Sequence, residues 1–319
     1  MNKRRLSRQQ KTRIRRHQQN LLHEQSDEHQ SGLVVARYTR HADIKSDING
    51  HISRCNIRAN IESIAVGDRV LWQAEDNDAG VVLAVEPRRN LIERPDGMGK
   101  LKPVAANIDQ IFVVLAREPE PHSILLDRYL LASENAGIDA SIVMNKIDSP
   151  AQAAPFEDLL SVYRELDYPV YITSCKHPGG LEDLRQALYG KTSVFVGQSG
   201  VGKSSIISTL LPEESIRIGE LSDLVQKGRH TTTTATLFEL PDGGCLIDSP
   251  GIREFHLDHF NAEQIYAGFR ELQALIGQCR FRDCHHDNEP DCAIKAFIAD
   301  GKMHASRVQS LQYILSQKA

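Results

Sequence analysis

Residues Gly197, Gln198, Ser199, Gly200, Val201, Gly202, Lys203 and Ser204 spell G-x-x-x-x-G-K-S, a spacing suited to holding a polyphosphate. Glycine backbones turn without a Cβ clash, so successive N–H groups can converge on one anion. The apolar run 193–196 feeds this loop and the helical stretch 205–211 leaves it. That helix would present its positive end to the same phosphates. Lys203 is expected to reach the β- and γ-phosphates and the Ser204 hydroxyl to ligate Mg²⁺, with Ser205 next to it in the first turn.

A phosphate loop does not choose a base. Asn145, Lys146, Ile147 and Asp148 spell N-K-x-D after the strand-like run 140–144, at the edge where open α/β sheets bind ligands. A carboxylate at Asp148 can accept from guanine N1–H and the 2-amino group together. Adenine lacks that donor pair and would leave the carboxylate unpaired. Asn145 and Lys146 would brace the base and its loop. Ser174, Cys175 and Lys176 end the next strand-like run and resemble the S-A-K loop under the guanine of GTPases, with Cys175 in place of Ala.

Asp248, Ser249, Pro250 and Gly251 match D-x-x-G after the run 245–247. The Asp would hold Mg²⁺ through water, and the Gly N–H would meet the γ-phosphate. Between this motif and the phosphate loop lies Gly228-Arg229-His230-Thr231-Thr232-Thr233-Thr234. One threonine there is expected to close on Mg²⁺ and the γ-phosphate, and Thr232 is the first choice. The predicted chemistry is binding of GTP and its hydrolysis to GDP and phosphate. Ras-like GTPases place N-K-x-D and S-A-K last, whereas here they come first, so the motifs are circularly permuted. Ile252 follows the D-x-x-G glycine, where Ras-like enzymes carry the Gln that orients water, so unaided turnover should be slow. His230 is expected to take that role once a partner orders its loop; a group from the partner and a structural His230 are the alternatives.

Six cysteines are present, and three fall in one short stretch. Cys279, Cys284, His286 and Cys292 form C-x4-C-x-H-x5-C, which suits a closed, structural tetrahedral Zn²⁺ site. His285 competes with His286 for the fourth position.

The elements that must carry these groups change texture along the chain. Residues 1–32 are polar and read as a flexible basic arm; 1–20 hold eight Lys/Arg and no Asp/Glu, on a chain of net charge −4. A cationic tail on an acidic body points to a polyanionic partner. From Leu33 onward come short β-like runs at 33–38, 69–72 and 81–85. They suggest a small barrel, for which an OB-fold has the right length, although other small barrels fit too. From about residue 104 to 260 strand candidates at 108–115, 140–144, 170–173, 193–196, 235–240 and 245–247 alternate with helical stretches at 123–136 and 156–166. That alternation predicts a mostly parallel sheet covered by helices. Helical patterns surround the Cys/His cluster in 261–319. Composition, 40% hydrophobic and 25% charged, is that of a soluble globular protein. Neither a run of 18 apolar residues nor a signal-peptide core is found, so a cytoplasmic, monomeric protein away from membranes is expected.

The permuted motifs, the preceding β domain and the following Cys/His cluster together resemble the bacterial small-ribosomal-subunit-dependent GTPase A family (RsgA, or YjeQ) over about residues 33–300. The resemblance implies a multidomain α/β protein. Its parts would be an N-terminal OB-fold barrel that binds RNA (33–100), a central circularly permuted P-loop GTPase domain (104–260) and a C-terminal helical zinc-binding domain (261–319). It favours His286 over His285 as the zinc ligand. It further implies late maturation of the small ribosomal subunit, with contacts to its rRNA. A P-loop ATPase or kinase, and a nucleic-acid adaptor using GTP only as a structural ligand, are the competing classes.

Overall fold

In the computed structural model, residues 22, 28–61, 63–75, 78–95, 99–211, 235–248, 260–287 and 289–318 are described. They divide into two compact units. The first takes the described residues up to Ile108 with 235–238 and 247–248; the second takes the others.

Five strands of the first unit close into a barrel: β1 (His29–Arg37), β2 (His41–Ser46), β3 (Ile52–Ile57), β4 (Arg69–Ala74) and β5 (Ala79–Val85). Their order is β1-β2-β3-β5-β4, and β4 returns to β1. The β3–β5 pairing is parallel and the other four are antiparallel. This is an OB-like barrel, and closing it removes the open edges that would template aggregation. Along β2 and β4 every second side chain turns inward, placing Ala42, Ile44, Val70 and Trp72 in a core with Val34, Cys55 and Val82. The strand β1 begins at His29 rather than Leu33, so the expected arm boundary at residue 32 falls inside it. A separate hairpin follows, β6 (Leu91–Pro95) and β7 (Leu101–Ala106), which the sequence reading did not anticipate.

The second unit is built on β8 (Gln110–Ala116), β9 (Asp139–Asn145), β10 (Val170–Ile172) and β11 (Thr192–Val196). They lie parallel in the order β10-β9-β8-β11. Every residue of β8 is buried, as a strand covered on both faces requires. The chain steps from β8 outward through β9 to β10 and then returns to the other side of β8 with β11. That reversal makes the carboxyl ends of β8, β9 and β11 a topological switch point, where such sheets bind ligands.

Helices α1 (Ser123–Ala136), α2 (Pro150–Ala153), α3 (Glu157–Arg164), α4 (Glu182–Leu188) and α5 (Lys203–Leu210) connect these strands. The strand β12 (Thr236–Glu239) pairs with β1 at Ala36, and β13 (Cys245–Asp248) follows it. The chain ends in α6 (Ala262–Ala267), α7 (Arg270–Gln273), α8 (Ala293–Ala299) and α9 (Ala305–Ser316). Leu131 and Ala132 of α1 share one core with Ile265, Phe269, Leu272, Ile294, Leu311 and Ile314 of this last segment. Each leucine, isoleucine or phenylalanine of this core, once fully buried, contributes about 1.5–3 kcal/mol.

Two arginines fasten the segment to α1. Arg307, only 1% exposed, donates to Asp127 and, at 2.9 and 2.8 Å, to both oxygens of Glu271. Tyr163 completes the cluster with a hydroxyl 2.8 Å from Asp127. Burial pushes the Asp127 pKa up against the pull of Arg307. One face further along α1, Arg270 donates to Glu134 at 2.7 Å and lies 3.8 Å over the Tyr168 ring. No described helix is long and apolar enough to cross a membrane.

Candidate functional site

The loop between β11 and α5 carries the expected phosphate-binding residues. Gly197 has φ 134°, and a Cβ there would sit 2.3 Å from the Val114 carbonyl oxygen. Gly202 has φ 99°, and its Cβ would meet Asn145 Nδ2 at 2.3 Å. Both positions therefore exclude a side chain, the first to pack the loop on β8 and the second to admit Asn145. Lys203 is buried, and its ammonium donates to the Gly197 and Gln198 carbonyls at 2.5 and 2.6 Å. Those two bonds fix the direction of the charge inside the loop. Ser204 and Ser205 occupy the first turn of α5, a helix start with no side-chain cap among the described residues and thus of the kind that can receive an anion.

The loop after β9 is tied to this one directly. Asn145 Nδ2 donates to the Val201 carbonyl at 3.0 Å, and Lys146 Nζ donates to the Gly200 and Glu118 carbonyls at 2.6 and 2.8 Å. The 145–148 loop and the 197–204 loop of the expected nucleotide site thus lie directly against each other. Asn145 is itself oriented by Thr173 Oγ1, which donates to its Oδ1 at 3.1 Å. Ile147 packs inward, and its N–H reaches the Thr173 carbonyl at 3.0 Å.

Asp148 is held on three sides. Ser174 Oγ donates to Oδ1 at 2.7 Å, Lys176 Nζ donates to Oδ2 at 2.8 Å, and the Asp148 N–H donates to Gln152 Oε1 at 2.7 Å. The hydrogen bond from Lys176, then that from Ser174, holds the carboxyl below the usual carboxylate range. The group is consequently an ionised, acceptor-only fork with lone pairs remaining on both oxygens. Burial raises the Cys175 thiol, which keeps it a packing residue rather than a thiolate. Thr173 and Gln152 escaped the sequence reading. The first lies just outside a motif, whereas Ser149-x-x-Gln152 has the form of a helix cap and could have been flagged.

Asp248 closes β13. His230, Thr232, Gly251 and Ile252 lie outside the described residues.

The second candidate site belongs to the C-terminal segment. The ligand atoms of Cys279, Cys284, His286 and Cys292 all lie within 4.8 Å of one another. His286 Nδ1 is 3.5 Å from Cys279 Sγ and 3.3 Å from Cys292 Sγ, and the two sulfurs are 3.8 Å apart. A tetrahedron with metal–sulfur bonds of about 2.3 Å has edges of about 3.8 Å, so the donor set fits such an ion. His286 reaches it from a left-handed backbone (φ 63°) with its ring edge-on to Tyr266 at 4.7 Å. His285 is exposed and stands outside this group; its N–H instead meets Glu289 at 2.8 Å. Cys292 precedes α8, and its sulfur accepts from the Lys295 N–H at 3.5 Å.

The RsgA GTPase family model matches residues 85–258, more than half of the chain. The chain belongs to the RsgA GTPase family. The small ribosomal subunit biogenesis GTPase RsgA of Pseudomonas fluorescens (strain SBW25) is 49% identical over 90% of this chain and 85% of its own length. The protein of that name from Azotobacter vinelandii is 47% identical over the same shares. Among solved structures, YjeQ from Thermotoga maritima superposes with a TM-score of 0.74 at 28% identity, covering 91% of this chain and 98% of that one. YloQ, described as a circularly permuted GTPase, gives 0.71 at 26% identity, covering 92% and 97%. This RsgA-family chain is accordingly a GTP hydrolase. It combines an OB-like barrel, a circularly permuted GTPase domain and a C-terminal Cys/His cluster.

Proposed function

We propose that this chain binds GTP across the 197–204 and 145–148 loops and hydrolyses it on the small ribosomal subunit, in a late step of that subunit's maturation. The observation carrying the reading is that Asn145 and Lys146 bond to the phosphate loop itself, so that Asp148 and Lys203 address opposite ends of one nucleotide. Asp148 takes the guanine N1–H and 2-amino donors, with Ser174, Cys175 and Lys176 beneath it. Lys203 and the N–H groups of 198–204 take the β- and γ-phosphates. Ser204, Thr232 and Asp248 are the residues that would hold magnesium, which would supply charge neutralisation at the β–γ bridge.

In the reaction a water oxygen bonds to the γ-phosphorus and the bridging oxygen leaves with GDP. The Gly251 N–H steadies the γ-oxygens, and His230 orients the water, whose proton passes to the phosphate that is released. Ile252 offers no hydrogen bond to water, so His230 needs its loop ordered by the partner. The names of the relatives, which specify small-subunit biogenesis, support that partner. The basic arm and the OB-like barrel are the surfaces proposed for rRNA, and the Cys/His cluster is assigned one structural Zn²⁺. The protein acts in the cytoplasm as a monomer.

Phosphate release with and without small subunits tests the reading. Subunits should accelerate turnover of the wild type, and His230→Ala should lose most of that acceleration while keeping its GTP affinity. Turnover indifferent to subunits would remove the small subunit as the activating partner. Acceleration that survives His230→Ala would move the water-orienting group to the partner.

A further inference from the structure

We infer that Gln152, outside every nucleotide motif, is a positioning residue for guanine recognition, acting through a helix cap displaced by one residue onto Asp148. The inference rests on the reading of Asp148 given above.

Ser149-Pro150-Ala151-Gln152 has the form S-x-x-Q, the pattern of a capping box. In such a box the cap side chain takes the backbone N–H three residues on, and the Gln side chain returns to the N–H of the cap residue. Helix α6 does this: Asn261 Oδ1 accepts from the Gln264 N–H at 2.8 Å, and Gln264 Oε1 accepts from the Asn261 N–H at 3.0 Å. Helix α2 does not. Ser149 makes no side-chain cap bond among the described residues, and Gln152 Oε1 passes its N–H to accept from Asp148 instead, at 2.7 Å. Pro150 starts the turn with its φ preset and no N–H to satisfy, and Ser149 is extended (φ −155°, ψ 155°). The box has been moved one residue upstream, from the residue that starts the helix to the residue that meets the base.

The displacement has a chemical consequence. Guanine offers Asp148 two donors on a rigid edge, so both carboxylate oxygens must be placed at once. Ser174 and Lys176 grip the carboxylate from the neighbouring loop, but the Lys176 side chain is 76% exposed, and exposed ion pairs hold geometry weakly. Gln152 fixes the backbone from which the carboxylate projects. Without that acceptor the peptide plane at 148 is free to rotate, and both oxygens swing away from the base edge together. The phosphate cradle, held by its own carbonyls, is untouched by the change.

Inosine diphosphate isolates this contact, because it keeps the ring N–H and both phosphates and lacks the 2-amino donor. Affinities of the full chain for GDP and IDP are to be compared in the wild type, in Gln152→Met, which keeps length without an acceptor, and in Gln152→Glu, which keeps an acceptor at the same reach. The wild type should prefer GDP; Gln152→Met should narrow that preference by about three- to tenfold, and Gln152→Glu should restore it. A wild-type preference kept intact in Gln152→Met, or an equal loss of GDP and IDP in that variant, would overturn the role of Gln152 alone. A wild type that does not distinguish the two nucleotides would overturn the reading of Asp148, and the inference with it.

Discussion

The nucleotide cleft and the Cys/His knuckle are both polar centres, and they are held by opposite means. In the cleft the cations are secured by main-chain oxygens: Lys203 by Gly197 and Gln198, Lys146 by Gly200 and Glu118. The sheet and its glycine turns set that geometry before any ligand arrives. In the knuckle three thiols and an imidazole crowd within 4.8 Å with little apolar packing in the loop between them. Such a cluster is stable when an ion neutralises the thiolates. On the proposed assignments, one centre is organised by the chain for its ligand, and the other by its ligand for the chain.

The largest expected effect that separates them is metal removal. Structural zinc in small knuckles carries an apparent binding free energy of about 10–16 kcal/mol. Chelation should therefore release residues 279–292 to hydrogen exchange while GDP affinity is retained. Parallel loss of GDP binding would mean that the two centres fold as one.

A smaller effect tests how the C-terminal segment is attached. Arg307→Met leaves Asp127 buried without its cation, which should cost about 3–5 kcal/mol in a denaturant melt. Adding Asp127→Leu should recover only the Asp127 share of that loss, since Glu271, the other partner of Arg307, still lacks its cation. If the single variant melts like the wild type, the cluster is not what joins the segment to α1.

The smallest effect lies in the cleft. Lys176 and Ser174 depress the Asp148 pKa, so the ionised form and the contacts it makes are favoured above the ordinary aspartate range and are lost as pH falls through the depressed value. Lys176→Met should move the acid limit of GDP binding to higher pH, as read by titrating affinity downward from neutrality. An unchanged acid limit would show that the exposed ion pair does not govern the carboxylate.

The legibility of the chain followed the reach of each interaction. Helix α1 spans the residues expected of it, 123–136, and β8, β9 and β11 lie within a residue or two of their apolar runs. Strands β2 and β3 went unread because their inward positions include Ser46, Ser53 and Cys55, which do not register as hydrophobic alternation. The hairpin β6–β7 has Arg94 opposite Lys102 and Pro103 within its second strand, a poor strand signature. In the site, the 145–148 and 197–204 loops were expected from consecutive motifs, and the clustered Cys279, Cys284, His286 and Cys292 from their spacing. Arg307 was invisible as a partner of Asp127 because 180 residues separate them and no local pattern links the two. Gln152 was obscured for another reason: its pattern announced a cap, and the structure spends it on the neighbouring residue.

The family's matched segment stops at residue 258, yet α1, well inside it, carries Asp127 and Glu134 facing arginines supplied from beyond that point. Truncating the chain at 258 to isolate a minimal catalytic fragment would strip both counterions at once and uncover Leu131 and Ala132. The fragment would gain a sticky, negatively charged scar on the helix that follows β8. Boundaries for expression or for transplanting this GTPase into another protein should therefore be drawn after α9, keeping the last helix as part of the enzyme.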